Sequence, residues 1–275
     1  MTQPQCTLPI GIFDSGMGGI TVLKALADTL PQENLLYLGD TARLPYGTKS
    51  NDTIGRYSRQ AAGKLVERGI KMLVIACNTA TSAALPLLQK AFSPLPVLGV
   101  IEPGAHAATA ATRSGNIAVI ATEATIQGGA YQKAIHTINP ACVVTARPCT
   151  LFVPLCEEGW TEGPIVEAVC QRYLGDIFGN KPDSPDTLML GCTHYPVLKQ
   201  ALQQVVGQNV AIVDSAASTA EAVAQWLAKH KLLCTAQGEG TRHFLTTDNP
   251  ARFARTGSLF WGKHLEAEDI ELIDL

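Results

Sequence analysis

The chain has 275 residues, 46% of them apolar, with 21 Lys and Arg against 24 Asp and Glu and a formal net charge of −3. That is enough apolar chain for one large or two medium cores. Basic residues are scattered rather than clustered, which excludes the electrostatic footprint of a nucleic-acid binder, and no apolar run is long enough to span a bilayer, so neither nucleic acid nor membrane is expected as a partner.

The N-terminus enters an apolar strand without the cationic and long apolar regions of a secretion signal, so a cytoplasmic location is expected. The eight cysteines, Cys6, Cys77, Cys142, Cys149, Cys156, Cys170, Cys192 and Cys234, then read as free thiols in a reducing compartment. None of their spacings is the short gap of a zinc knuckle, and no metal is expected.

Apolar, β-branched runs alternate with helical patterns from end to end. A strand over 8–13 leads to a helix over about 18–30 and a strand over 34–39; a helix over about 51–69 precedes strands over 71–76 and 96–100. The pattern restarts with a strand over 115–122, a helix near 126–137, a strand over 143–146, a helix over about 162–178 and a strand over 187–190. Such a rhythm predicts βα units and largely parallel sheets, and its restart predicts a duplication at the level of fold. The expected class is α/β, with two pseudo-symmetric domains, each a mostly parallel sheet flanked by helices, and a site in the cleft between them. The last strands, over 210–215 and 241–246, are assigned to the first sheet, giving domains of 1–100 plus 208–275 and of 101–207.

Ala76-Cys77-Asn78-Thr79-Ala80 and Gly191-Cys192-Thr193-His194-Tyr195-Pro196 each follow a predicted strand. In open α/β sheets that carboxyl edge is where ligands bind. Two thiols from equivalent edges of two half-chains could face one small molecule from opposite sides, as a two-base proton exchange at carbon requires. His194, two residues from Cys192, is near enough to act as acid, base or charge partner. Helix starts behind both cysteines are expected to lower their pKa values.

Asp14-Ser15-Gly16-Met17-Gly18-Gly19 turns from the first strand into a helix. Thr21 occupies the position of the third glycine of a dinucleotide fingerprint, and no Gly-Lys-Ser/Thr follows, so the segment reads either as a site for a small carboxylate rather than a nucleotide or as a tight turn capped by Asp14 or Ser15. The loop Gly39-Asp40-Thr41-Ala42-Arg43-Leu44-Pro45-Tyr46-Gly47 reads either as a surface connection or as a cover over a site. Glu157 is a candidate partner for His194, Glu158 reads as solvated, and Thr122-Glu123-Ala124-Thr125 reads either as a helix cap or as a segment adding a hydroxyl to the cleft, the cap being favoured. Asn180-Lys181-Pro182-Asp183-Ser184-Pro185 has no motif character.

Asp-Ser-Gly-x-Gly-Gly, Pro-Tyr-Gly, Ala-Cys-Asn-Thr-Ala and Gly-Cys-Thr-His-Tyr-Pro, in this order and spacing, resemble bacterial glutamate racemases, members of the cofactor-independent aspartate/glutamate racemase family. The resemblance covers essentially the whole chain. It implies interconversion of L- and D-glutamate without a cofactor, supplying D-glutamate for peptidoglycan, with homodimerisation as a family tendency. By that resemblance Cys192 takes the α-proton of L-glutamate and Cys77 that of D-glutamate, assisted by His194 and Asp14 respectively, with Glu157 as an additional acid near His194. Asp14, Ser15, Tyr46, Gly47, Asn78, Thr79, Thr193 and His194 match the substrate-contacting positions. Activation by a cell-wall precursor, which in some relatives uses a long N-terminal extension, is not expected.

Two other classes remain open at this stage. A non-catalytic sensor of an acidic amino acid would bind without exchanging the α-hydrogen. A cysteine hydrolase with a Cys192 nucleophile and a His194 base would form a covalent intermediate and leave Cys77 without a role.

Overall fold

A computed structural model of the protein describes residues 5–179 and 183–275; Asn180-Lys181-Pro182 of the segment without motif character lie outside them. The chain forms ten strands among the described residues: β1 (Ile10–Asp14), β2 (Leu35–Gly39), β3 (Met72–Ile75), β4 (Val97–Gly99), β5 (Asn116–Ala121), β6 (Val143–Pro148), β7 (Thr187–Gly191), β8 (Ala211–Asp214), β9 (Arg242–Thr246) and β10 (Ile270–Leu272). They make a six-stranded sheet in the order β10-β9-β2-β1-β3-β4 and a four-stranded sheet in the order β6-β5-β7-β8. All neighbouring pairs are parallel.

The order β2-β1-β3-β4 repeats as β6-β5-β7-β8, so the two halves share one topology. β1 corresponds to β5 and β3 to β7. In each sheet the chain leaves the first strand toward one side and the third toward the other, which opens a crevice at their carboxyl ends. Asp14 and Cys77 stand at this crevice in the first sheet, Thr122 and Cys192 in the second.

Parallel strands covered on both faces need apolar side chains in both directions. Ile10, Ile12, Met72, Val74, Ala118, Ile120, Leu188 and Leu190 enter one core shared by the two sheets. Phe13, Leu73 and Ile75 point the other way, into a core under the helices Asn51–Glu67 and Asn78–Ala91. Ile117, Val119 and Met189 enter a third, under the helices Ile101–Ala111 and Ala130–Ile138.

The sequence reading misplaces one strand. β8, assigned to the first sheet with the segment over 210–215, pairs with β7, Thr187 opposite Ala211 and Leu190 opposite Asp214. The short helix Lys199–Val206 carries the chain from β7 directly to its parallel neighbour, the usual outcome for consecutive strands joined by one crossover. β8 is therefore the counterpart of β4, and the chain returns to the first sheet only afterwards, at β9. The helix expected near 126–137 is two helices, Glu123–Gly128 and Ala130–Ile138, divided at Gly129, whose φ of 63° is left-handed. The helix expected over 162–178 starts on Pro164 and stops at Leu174, before Gly175.

Lys71, at the start of β3, is fully buried and donates to Glu33 Oε2 at 2.5 Å and to the carbonyls of Cys6 and Leu232 at 2.6 and 2.9 Å. Glu33 Oε1 accepts from the amide of Cys234 at 2.8 Å. One ion pair thus ties the N-terminal segment and the 232–234 segment to the base of the first sheet. Lys71→Met would leave the Glu33 carboxylate buried without its counter-charge, so unfolding free energy measured in urea should fall by about 3–5 kcal/mol. A loss below about 1 kcal/mol, the level of an exposed pair, would refute that role.

Candidate active site

On the first sheet, Cys77 caps the helix Asn78–Ala91, its sulfur accepting from the amide of Ala80 at 3.4 Å and donating to Ser15 Oγ at 3.5 Å. The helix start does not dominate its acidity. Burial raises the thiol, the nearby Asp14 raises it further, and together they outweigh the Ser15 and Ala80 hydrogen bonds to leave it at about 12. The expected lowering therefore does not occur at Cys77, because the sulfur is almost out of solvent where a thiolate loses its hydration. Asp14 is fully buried behind the turn. Its Oδ2 accepts from the amide of Gly16 at 3.0 Å, and its Oδ1 has no partner. Burial raises its carboxyl, against the opposing pull of His194 and of the amides of Gly19, Gly16 and Ser15.

The 39–47 loop is part of the site. Asp40 is fully buried and accepts from the Tyr46 hydroxyl, from Arg43 Nε at 2.7 Å and from Thr247 Oγ1 at 3.0 Å. This network holds Tyr46 and Gly47 against the crevice. A Cβ on Gly47 would lie 2.6 Å from Thr122 Cβ, so the backbone of this loop meets the second half directly.

On the second sheet, Cys192 is followed by a 3₁₀ turn, Tyr195–Leu198, and does not itself cap a helix, contrary to expectation. His194 takes that place as its charge partner. His194 Nδ1 lies 3.9 Å from Cys192 Sγ, and Nε2 lies 3.4 Å from Glu157 Oε1, an ion-pair separation without the alignment of a hydrogen bond. Burial works against an imidazolium here, but Cys192, Glu157 and Asp14 outweigh it and push His194 up to about 10. Glu157 is nearly buried while Glu158 is exposed, so the two adjacent carboxylates have different surroundings.

The two edges close around a cavity of about 30 Å³ lined by Ser15, Tyr46, Gly47, Cys77, Asn78, Thr79, Thr122, Glu157, Cys192, Thr193 and His194, with Leu44, Pro45 and Val153 among the rest. Every sequence-predicted site residue is there except Asp14, which sits behind the wall. Asn78 Oδ1 accepts from the Tyr131 hydroxyl at 2.6 Å, which fixes the amide, while Nδ2 is buried without a partner. Hydroxyls of Thr79, Thr122 and Thr125 bond one another at 2.9–3.1 Å. A wider cleft of about 660 Å³ between the helices Ile101–Ala111 and Ser215–Lys229 shares no lining residue with this cavity and contains neither thiol.

Sequence reasoning misses Tyr131, which positions Asn78; of the two readings of Thr122, the structure supports the cleft hydroxyl, since it lines the cavity and makes no side-chain capping bond. Sequence reasoning also misses the helix Pro250–Trp261. From this helix Arg252 Nη2 reaches Glu157 Oε2 at 3.4 Å, and the Phe260 ring meets the His194 ring edge-on, centroids 5.2 Å apart. No local motif in that helix signals contact with a strand end some sixty residues earlier.

The Asp/Glu/hydantoin racemase family model matches residues 18–223. A glutamate racemase of Geobacter metallireducens is 52% identical over 256 residues, 93% of each chain, and one of Neisseria meningitidis is 44% identical over 267 residues, 97% of each chain. Among solved structures, a glutamate racemase of Francisella tularensis in complex with D-glutamate superposes with a TM-score of 0.89 at 37% identity, covering 98% of both chains. One of Bacillus anthracis gives 0.91 at 34% identity with the same coverage. Two sheets of one topology presenting a thiol each to a shared cavity, together with these similarities, show that the chain belongs to the Asp/Glu/hydantoin racemase family, in its glutamate racemase branch.

Proposed function

We propose that the protein interconverts L- and D-glutamate by a two-base mechanism in which Cys77 and Cys192 work from opposite sides of the α-carbon, supplying D-glutamate for peptidoglycan. One observation carries this reading. Equivalent strands of two topologically repeated sheets deliver one cysteine each to a single cavity. A sensor needs no such pair, and a hydrolase needs only one of them. The bound D-glutamate of the Francisella relative supports the choice of substrate.

Racemisation breaks the Cα–H bond as one thiolate takes the proton, leaves the electron pair on the α-carbon, and forms a new C–H bond on the opposite face from the other thiol. The α-hydrogen is far less acidic than a thiol, so the carbanion depends on donors fixed around the substrate carboxylate. Asn78 Nδ2, held by Tyr131 and otherwise unpaired, is suited to that, with the hydroxyls of Ser15, Thr79 and Thr193. The protonation pattern suits L-glutamate first. Cys77, pushed up to about 12, holds its proton at neutral pH, while Cys192 faces an imidazolium able to stabilise its thiolate. In this reading Cys192 takes the proton of L-glutamate and Cys77 returns one from the other face. Asp14 assists Cys77, His194 and Glu157 assist Cys192, and Tyr46 and Gly47 close the substrate's side of the cleft.

The cavity, about 30 Å³, has room for a water or two. Glutamate entry therefore requires the 44–47 loop to part from Thr122 and Val153. The proposed working units are 1–100 with 215–275 and 101–214, the boundary moved past β8. A cytoplasmic homodimer belongs to the same proposal, supported by the family likeness. Among the described residues no helix is long and apolar enough to cross a membrane.

Incubation with L- or D-glutamate in heavy water, followed by optical rotation and α-deuterium incorporation, tests the mechanism. Wild type should racemise both enantiomers. Cys77→Ser and Cys192→Ser should each lose racemisation by at least about 10²-fold, the lower range for a positioned acid or base. Absence of α-exchange in the wild type would sink the reading in favour of the sensor.

The charge state of His194 gives a pH dependence. Its folded-state pKa, about 10, lies above the ordinary 6.5, so its stabilising contribution is complete below about pH 6.5 and is lost as pH rises through about 10. Turnover of L-glutamate should fall through that upper window. Urea midpoints of wild type and His194→Asn should converge as pH approaches about 10; a constant gap between them would contradict the assignment.

A further inference from the structure

The Glu157–His194 pair is not held by its own half of the chain alone. Glu157 ends the short helix Phe152–Glu157, and His194 follows β7, yet the groups that complete their surroundings come from the helix Pro250–Trp261, which follows β9 of the first sheet. Glu157 divides its two oxygens, Oε1 toward His194 Nε2 and Oε2 toward Arg252 Nη2, each at 3.4 Å. Two turns further along the same helix, Phe260 packs edge-on against the imidazole with an interplanar angle of 80°. The ring is thus constrained by a carboxylate that Arg252 orients and by the near-perpendicular Phe260 ring.

We propose that Arg252, with Phe260, is a positioning residue for the racemase reaction: from the first-sheet half it fixes the Glu157 carboxylate and the His194 ring so that Nδ1 faces Cys192 when the cleft is closed. The inference rests on the two-thiol reading above and names what holds its Cys192 side. The charged and titratable groups facing His194 are Cys192 at the end of β7, Glu157 on its short helix and Asp14 at the end of β1, with Arg252 acting one step away through Glu157. Arg252 is about half exposed, its side chain at 49%. Its direct repulsion of an imidazolium is therefore screened by water, and its effect through the orientation of a carboxylate only 11% exposed is the larger one. Without Arg252 the carboxylate is free to turn away, the imidazolium loses a counter-charge, and burial lowers its proton affinity.

This differs from a purely structural helix contact in what it moves. Arg252→Ala should lower kcat with L-glutamate by roughly tenfold while KM changes less than about twofold, a loss below the 10²–10⁴ of a direct acid or base. The His194 resonance, followed by NMR in protein labelled at histidine, should titrate at lower pH in Arg252→Ala than in wild type, and Arg252→Lys, which keeps charge and most of the reach, should restore part of both effects. Glu157→Gln run alongside should displace the same resonance in the same direction. If Arg252→Ala leaves the His194 titration and kcat unchanged while wild type racemises glutamate, the inference is overturned and the two-thiol reading stands. If wild type itself exchanges no α-hydrogen, the reading beneath it has failed instead.

Discussion

The site depends on how closely the backbone of one half can approach the side chains of the other. A Cβ on Gly18 would lie 2.4 Å from His194 Nδ1 and 2.6 Å from Thr193 Oγ1, well inside any permissible contact, and both of those side chains are buried. Gly18 lets the turn after β1 lie against the segment after β7, and Gly47 does the same where the 39–47 loop meets Thr122. Across these two contacts the switch points of the sheets face each other, and Cys77 and Cys192 come to share one cavity. The hydrogen bond from Thr21 Oγ1 to the Thr193 carbonyl, 3.2 Å, spans the same seam.

That seam explains which parts of the molecule were legible in sequence. Strand-end cysteines, a Gly-rich turn and the 3.6-residue rhythm of helices are local signals, and each identified its element within a few residues. The repeat of the rhythm was also readable, which is why a two-sheet architecture and a cleft were expected. β8 was misassigned because a four-residue edge strand carries no information about its partner. Only the topology, in which β8 stands to β7 as β4 stands to β3, decides it. Tyr131, Arg252 and Phe260 were invisible for the same reason, since their importance lies in contacts across 53, 95 and 66 positions respectively, to Asn78, Glu157 and His194.

The environments of the two thiols are built by different means although their strands are equivalent. Cys77 sits at a true helix start, yet its surroundings are dominated by burial beside a carboxyl group. Cys192 lacks the helix start and has an imidazole instead. Duplication of a fold supplies the symmetry of position, and the chemistry of each face is then set by neighbours that the repeat does not copy: Ser15 and Asp14 on one side, His194 and Glu157 on the other. Asp14 contributes to both, since its field raises the proton affinity of Cys77 and of His194.

Such asymmetry meets a thermodynamic limit. Raising a thiol from 9 to about 12 makes its thiolate costlier by roughly 4 kcal/mol, while making that thiolate a stronger base and so a better match to a weak carbon acid. In the two-thiol reading, L-glutamate meets a Cys77 already holding the proton it must return, whereas D-glutamate needs that proton removed first. Enantiomers in an achiral solvent have equal free energies, however, so the ratio of kcat/KM in the two directions is fixed at unity whatever the protein does. Proton placement can redistribute the barrier between kcat and KM but cannot favour one product. Any difference in kcat between the two enantiomers must therefore be matched by an equal difference in KM, so the unlike thiols can show themselves in kcat and KM taken separately and never in their ratio.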